Sequence, residues 1–187
     1  GTKSSVGDKM NKSHGAHRRG PPSPWIVRFA GEIEPGGQVL DLACGSGRHS
    51  IYLLQRGHAV TSSDIDVSAL ADLQEESNLE IVAADLENAP WPFSDRQFVA
   101  VIVTNYLHRP LFPNILSALV PGGLLLYETF AAGNERFGRP RNPAYLLKRG
   151  ELISGILAGL TILAYEDVII DEPSPAAVQR VCARKPK

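Results

Sequence analysis

The sequence has only two cysteines, Cys44 and Cys182, far apart and outside any metal-type spacing. That excludes a disulfide scaffold and a cysteine-based metal site, and makes a reduced, cytoplasmic protein the simplest expectation. No apolar run approaches the roughly 20 residues that a bilayer-crossing helix needs, so no membrane partner is expected. An excess of charge is missing as well. Formal net charge is −1, and so balanced a chain has no whole-molecule field drawing it to nucleic acid or an anionic membrane. The opening stretch GTKSSVGDKMNKSHGAHRRG has no apolar core segment and does not read as a secretory signal.

What is present fits one globular domain: 187 residues, of which 43% are hydrophobic. Residues 1–22 are polar and basic and read as a flexible tail, leaving 23–187 as a single domain. His14 and His17 in that tail are not expected to hold a metal. Order should begin at Ser23-Pro24-Trp25, since serine is a good N-cap and proline suits the first helical position. Trp25, Ile26, Phe29, Ala30 and Ile33 then make one apolar face.

Strand-like and helix-like patterns alternate from there. Strands are expected over Val39–Leu42, His58–Ser62, Glu80–Ala83, Phe98–Val103, Leu124–Glu128, Thr161–Ile169 and Val178–Ala183. Helices are expected over Arg48–Arg56, Ser68–Glu76, Leu111–Leu119 and Glu151–Ala158, with Pro121-Gly122-Gly123 as a turn. The run FVAVIV has no polar alternation, as a strand buried on both faces requires. The alternation predicts an α/β, Rossmann-like three-layer sandwich: a mostly parallel seven-stranded sheet, helices on both faces, the last strand antiparallel.

The most informative stretch is VLDLACGSGRHS, residues 39–50. A glycine-rich turn from strand to helix points backbone N–H groups and the positive end of the helix dipole at whatever binds there. Gly45 and Gly47 let a ligand come close to the backbone. Asp41 would sit poorly beside a pyrophosphate and well beside an ammonium or sulfonium. A dinucleotide fingerprint needs G-x-G-x-x-G, and Ser50 stands where the third glycine belongs. The run instead resembles the first motif of class I S-adenosylmethionine-dependent methyltransferases, and the resemblance extends in order and spacing over residues 36–130. In length and compactness the scaffold is similar to the tellurite-resistance and thiopurine methyltransferase-like groups.

That resemblance implies S-adenosylmethionine as cofactor, held by Asp41, Ala43, Gly45 and Gly47. Asp64 ends the second strand and is either a ribose-hydroxyl acceptor or a cap; Asp85 ends the third and is either an adenine acceptor or a turn aspartate. Ile65 and Leu86 would flank the ring, and Asn105 would hold the methionine end. Tyr106 and His108 are candidates for the substrate side, as base or as packing residues. Residues 129–150, TFAAGNERFGRPRNPAYLLKRG, read as a lid. Arg136 and Arg139 there either recognise an anionic substrate or form a solvated basic face. The fourth strand is followed by Asn105-Tyr106-Leu107-His108, without the proline pair of DNA amino-methyltransferases, which argues against a nucleic-acid substrate. A small-molecule methyltransferase is the expectation. A non-catalytic cofactor-binding subunit and a nicotinamide-dependent oxidoreductase are the alternatives, and oligomeric state stays open.

Overall fold

The apolar run at 98–103 becomes the middle of the sheet. In the computed structural model, which describes residues 19–187, the strands are β1 (Gln38–Leu42), β2 (Ala59–Asp64), β3 (Leu79–Ala83), β4 (Phe98–Thr104), β5 (Leu119–Phe130), β6 (Thr161–Ile170) and β7 (Ala176–Arg184). They form one seven-stranded sheet in the order β3-β2-β1-β4-β5-β7-β6. The first five strands pair in parallel. β7 runs antiparallel to both β5 and β6. The antiparallel last strand is therefore as expected, and it lies between β5 and β6 rather than at the edge. That placement departs from the 3-2-1-4-5-6 order of the dinucleotide-binding fold, which disfavours the oxidoreductase alternative.

Alternation along the central strands sorts the core into two layers. Val39, Ala100, Ile102, Leu124 and Leu126 face Trp25, Ile26 and Leu53. Those partners lie on helices α1 (Pro24–Phe29) and α2 (Arg48–Gln55). Leu40, Val101, Val103, Leu125 and Tyr127 face the other way, onto Phe93, Phe112 and Ile115. Helix α3 (Phe112–Ser117) covers that side. Ser23 does cap α1, its Oγ accepting from the Trp25 N–H, with Pro24 in the first turn.

Three expected elements differ. Ser68–Leu73 is 3-10 rather than α-helical. Glu151–Ala158 is broken into two short 3-10 turns, because Ser154 is extended and Gly155 takes φ +59. Pro121-Gly122-Gly123 lies inside β5, where Phe98 pairs with Leu119 and Ala100 with Leu124. The turn residues thus form a bulge in a longer strand.

Residues 133–150 are pinned at several points rather than free as a lid. Leu147 bridges Ala131, and both Leu146 and Leu147 are buried. Arg109 holds Glu151 at 2.6 and 2.9 Å and donates to the carbonyls of Ala144 and Leu146. Asn134 is buried; its Nδ2 donates to the Pro140 carbonyl and its Oδ1 accepts from the Ala177 N–H, both at 3.1 Å. Asn134→Ala strands that backbone N–H and should cost about 2 kcal/mol. Urea unfolding measures it, and a wild-type midpoint would show that the segment does not depend on this bridge.

Candidate active site

The site begins where β1 and β4 stop pairing, at Leu42 and Val103. Beyond that point the two chains turn to opposite neighbours. The Cys44 N–H donates to the Ser63 carbonyl on β2, and the Asn105 N–H to the Glu128 carbonyl on β5, each at 2.9 Å. Ala43 and Asn105 both make the turn with φ 53, in the left-handed region. A cavity of about 280 Å³ opens between them, lined by Ala43, Gly45, Asp64, Thr104, Asn105 and Tyr106.

The two glycines of the loop serve different ends. At Gly45, with φ +55, an added Cβ would meet nothing within 4 Å, so the backbone is open to a ligand. At Gly47, with φ +82, a Cβ would lie 2.5 Å from Leu70. Gly47 therefore lets the loop pack on residues 68–73, and it does not line the cavity as expected.

Each carboxylate has a distinct environment. Asp64 accepts from the Gly45 N–H at 2.9 Å and the Asp66 N–H at 3.3 Å, which ties the end of β2 to the loop. Asp85 accepts from the N–H groups of Glu87 and Asn88 at 3.1 Å, and these bonds hold its carboxyl below the usual range. It is a turn aspartate in this geometry. Asp41 is buried beneath the loop rather than exposed on the cavity: Ser50 Oγ donates to its Oδ2 at 2.6 Å, while Oδ1 has no partner. Burial pushes its carboxyl up to about 6. Leu86 is in the core, whereas Ile65 is 68% exposed.

A second cavity, of about 290 Å³, adjoins the first through Asn105 and Tyr106 and is further lined by Glu87, Phe130, Pro140 and Tyr145. Burial first, then Glu87, Asp64 and Asp85, push the Tyr106 phenol up, so it stays protonated through the neutral range. His108 does not line this cavity; its Nδ1 sits 3.0 Å from Glu87 Oε1 and orients that carboxylate. Arg136 and Arg139 are absent from it too. Arg136 donates to the Gly133 carbonyl, stacks on Phe137 and lines a third cavity with Arg149, Asp167 and Gln179. At about 590 Å³ that cavity exceeds the other two, but it lies at the ends of β5, β6 and β7, away from the glycine loop. Arg139 is exposed and lines none of the three.

Several contributors were not anticipated. Arg19, expected in the tail, donates to the Ser46 carbonyl at 2.8 Å and pairs with Asp72. Arg48 reaches the Pro21 carbonyl; the rest of the expected tail, with His14 and His17, lies outside the described residues. His49 is buried, its Nε2 accepting from the Ser23 N–H at 3.0 Å, and burial holds it down at about 3. Ser23 Oγ donates to Glu128 Oε1 at 2.6 Å, and Glu128 pairs with Arg180. Glu87 lies two residues past Asp85, which was a usable cue; Phe130 and Tyr145 fall inside the segment 129–150 read as a lid, where only its arginines were singled out.

Residues 39–123 match the family described as Methyltransferase domain. The match covers under half of the chain and holds the glycine loop and strand ends that resemble class I S-adenosylmethionine-dependent methyltransferases. Among curated relatives, a putative methyltransferase YqeM of Bacillus subtilis is 28% identical over 123 residues, covering 60% of this chain and 50% of that protein. A probable S-adenosyl-L-methionine-dependent methyltransferase TehB of Haemophilus influenzae is 37% identical over 96 residues, 49% of this chain and 33% of that one. The chain thus spans about half, or less, of the length of these two relatives. In structure the domain is similar to TehB from Haemophilus influenzae, with TM-score 0.68, 23% identity and coverage of 85% and 61%. It is also similar to a Burkholderia thailandensis 1,6-didemethyltoxoflavin-N1-methyltransferase solved with S-adenosylhomocysteine, with TM-score 0.67, 20% identity and coverage of 88% and 77%. The cofactor of this class is S-adenosylmethionine, and the groups that line the cavity suit it: an unobstructed Gly45 and a loop-anchored Asp64. Among the described residues no cluster could hold a metal ion, and no helix is long and apolar enough to cross a membrane.

Asp41 and His49 give opposite pH dependences. Asp41, raised to about 6, adds stability that is present at acid pH and lost as pH rises through about 6. His49, lowered to about 3, adds stability that is present above its ordinary value and lost as pH falls towards 3. Asp41→Asn removes the first effect alone. Its stability relative to wild type should therefore climb by roughly 2–3 kcal/mol between pH 4 and 7. Urea midpoints at four pH values test this, and a constant offset would contradict it.

Proposed function

We propose that the protein transfers a methyl group from S-adenosylmethionine to a small-molecule acceptor. The observation that carries this is the pair of cavities meeting at Asn105 and Tyr106, one floored by the glycine loop and one walled by aromatic side chains. In this reading the loop side takes the cofactor. Gly45 accommodates the close approach, and Asp64 uses its remaining lone pairs on the ribose hydroxyls while holding the loop. Asp85, whose Oδ2 accepts only from Asn88 Nδ2 at 3.3 Å, has a lone pair left for the adenine edge, and Asn105 serves both cavities. The bound cofactor supplies an electrophilic methyl group on a sulfonium. The chain's own residues align the partners and exclude water. Tyr106, held protonated, is a wall and hydrogen-bond donor rather than a base.

The formed acceptor cavity favours catalysis over a purely activating subunit. One feature favours the latter: Ile162, Leu163 and Ile169 are exposed on the edge strand β6. Arg136 and Arg139 lie outside the acceptor cavity, which removes the support for an anionic acceptor.

Calorimetry with S-adenosylhomocysteine tests the cofactor assignment. The wild-type protein should bind it in the micromolar range. Asp64→Ala should weaken binding by roughly 1.5–3 kcal/mol, the scale of charge-assisted bonds to two hydroxyls. Gly45→Leu should abolish binding in a folded protein, whereas Gly47→Ala should first lower the melting temperature, because its Cβ meets Leu70. Wild-type affinity in both the Asp64 and Gly45 variants would sink the assignment.

A further inference from the structure

We propose that the acceptor cavity selects an amine carried on a flat apolar group and captured as its ammonium form, which gives one N–H proton to Glu87 Oε2 and on to solvent before the freed nitrogen lone pair takes the methyl group and S-adenosylhomocysteine leaves; this rests on the methyl-transfer reading above. The aromatic side chains of Tyr106, Phe130 and Tyr145 stand around the cavity, and Pro140 adds an apolar surface. Glu87 is the one charged side chain among the residues that line it. Rings present a negative face, so a cation among them is attracted before any hydrogen bond forms. Such a box beside a carboxylate discriminates by charge as well as by shape.

Glu87 is well suited to the role. Its side chain is 44% exposed, so no large desolvation cost opposes its charge. His108 Nδ1 holds Oε1 at 3.0 Å, which leaves Oε2 for a ligand N–H. The surrounding charge has the same sense. Glu87, Asp64 and Asp85 each add to burial in disfavouring the ionised form of Tyr106, and a carboxylate or phosphate ligand would meet charge of the same sign. Among the cations, Arg139 and Arg141 flank Pro140 but line none of the cavities, and Arg48, on the adjoining cavity, donates to the Pro21 carbonyl. Arg109 is engaged with Glu151, and Arg136 and Arg149 line the separate cavity at the far strand ends.

The test uses the whole chain saturated with S-adenosylhomocysteine and matched pairs of probes: phenethylamine against 3-phenylpropionate, and tryptamine against indole-3-propionate. Binding is followed by saturation-transfer NMR and calorimetry. Each amine should bind saturably and at least about tenfold more tightly than its carboxylate partner. Glu87→Gln should weaken the amines about tenfold and leave S-adenosylhomocysteine affinity within about twofold. Tyr145→Ala, at the exposed rim, should weaken both amines and also spare the cofactor. Carboxylates binding as well as the amines, no saturable amine binding, or amine affinity indifferent to Glu87→Gln would each overturn the inference while leaving the methyl-transfer reading in place. Failure of the wild-type protein to bind S-adenosylhomocysteine would remove that reading, and this inference with it.

Discussion

The parting of β1 and β4 is the constraint on which the cleft depends. Up to Leu42 and Val103 the two strands are hydrogen-bonded neighbours. Two residues later each backbone is committed to a different partner, Cys44 to β2 and Asn105 to β5. A residue in the left-handed region has to stand at each departure. For Ala43 that costs roughly 1 kcal/mol relative to an ordinary conformation. Asn105 tolerates it more readily, because asparagine visits this region more often. The strain is sustained because the flanking strands are anchored through buried layers on both faces. Parallel sheets place ligands at such a switch of direction, and here both cavities meet there, at Asn105.

A second set of contacts stiffens the floor of the cleft from below. Ser23 joins helix α1 to His49 at the start of α2 and to Glu128 on β5. Arg180 on β7 pairs with Glu128 and Glu166 and lies over the Trp25 ring, whose Nε1 donates to the Val181 carbonyl. Breaking a pair so little exposed would leave an uncompensated charge, so the network acts as a unit. With Arg19 bonded to the Ser46 carbonyl, the first described residues of the chain support the glycine loop. The loop is thus held from three directions, by Asp64, by Arg19 and by Leu70 beneath Gly47.

Much of the fold was legible because it rests on short-range pattern. Continuous apolar runs marked the buried parallel strands, and Ser23-Pro24 marked a helix start that the hydrogen bond from the Trp25 N–H bears out. Element lengths were less legible. Glu151–Ala158 has helical periodicity, yet Gly155 at positive φ divides it, and a periodic pattern carries no information about which glycine turns left. The loop 133–150 looked free because its anchors, Arg109, Ala177 and Gln179, lie far along the chain. A buried asparagine in such a loop looks like an ordinary turn residue until its partner strand is placed.

The sequence by itself determined the order of strands and helices, the glycine loop at 45–47 and the polar residues at the strand ends, because each is written in neighbouring residues. Tertiary structure alone decided what those residues face. It put Asp41 under the loop rather than beside the cavity and made Gly47 a packing residue. It also carried Arg136 to another cavity and brought Glu87, Phe130 and Tyr145 together around the second cavity beside the glycine loop. The reason is physical: a side chain's surroundings are set by segments tens of residues away, and local periodicity fixes only the face from which it projects.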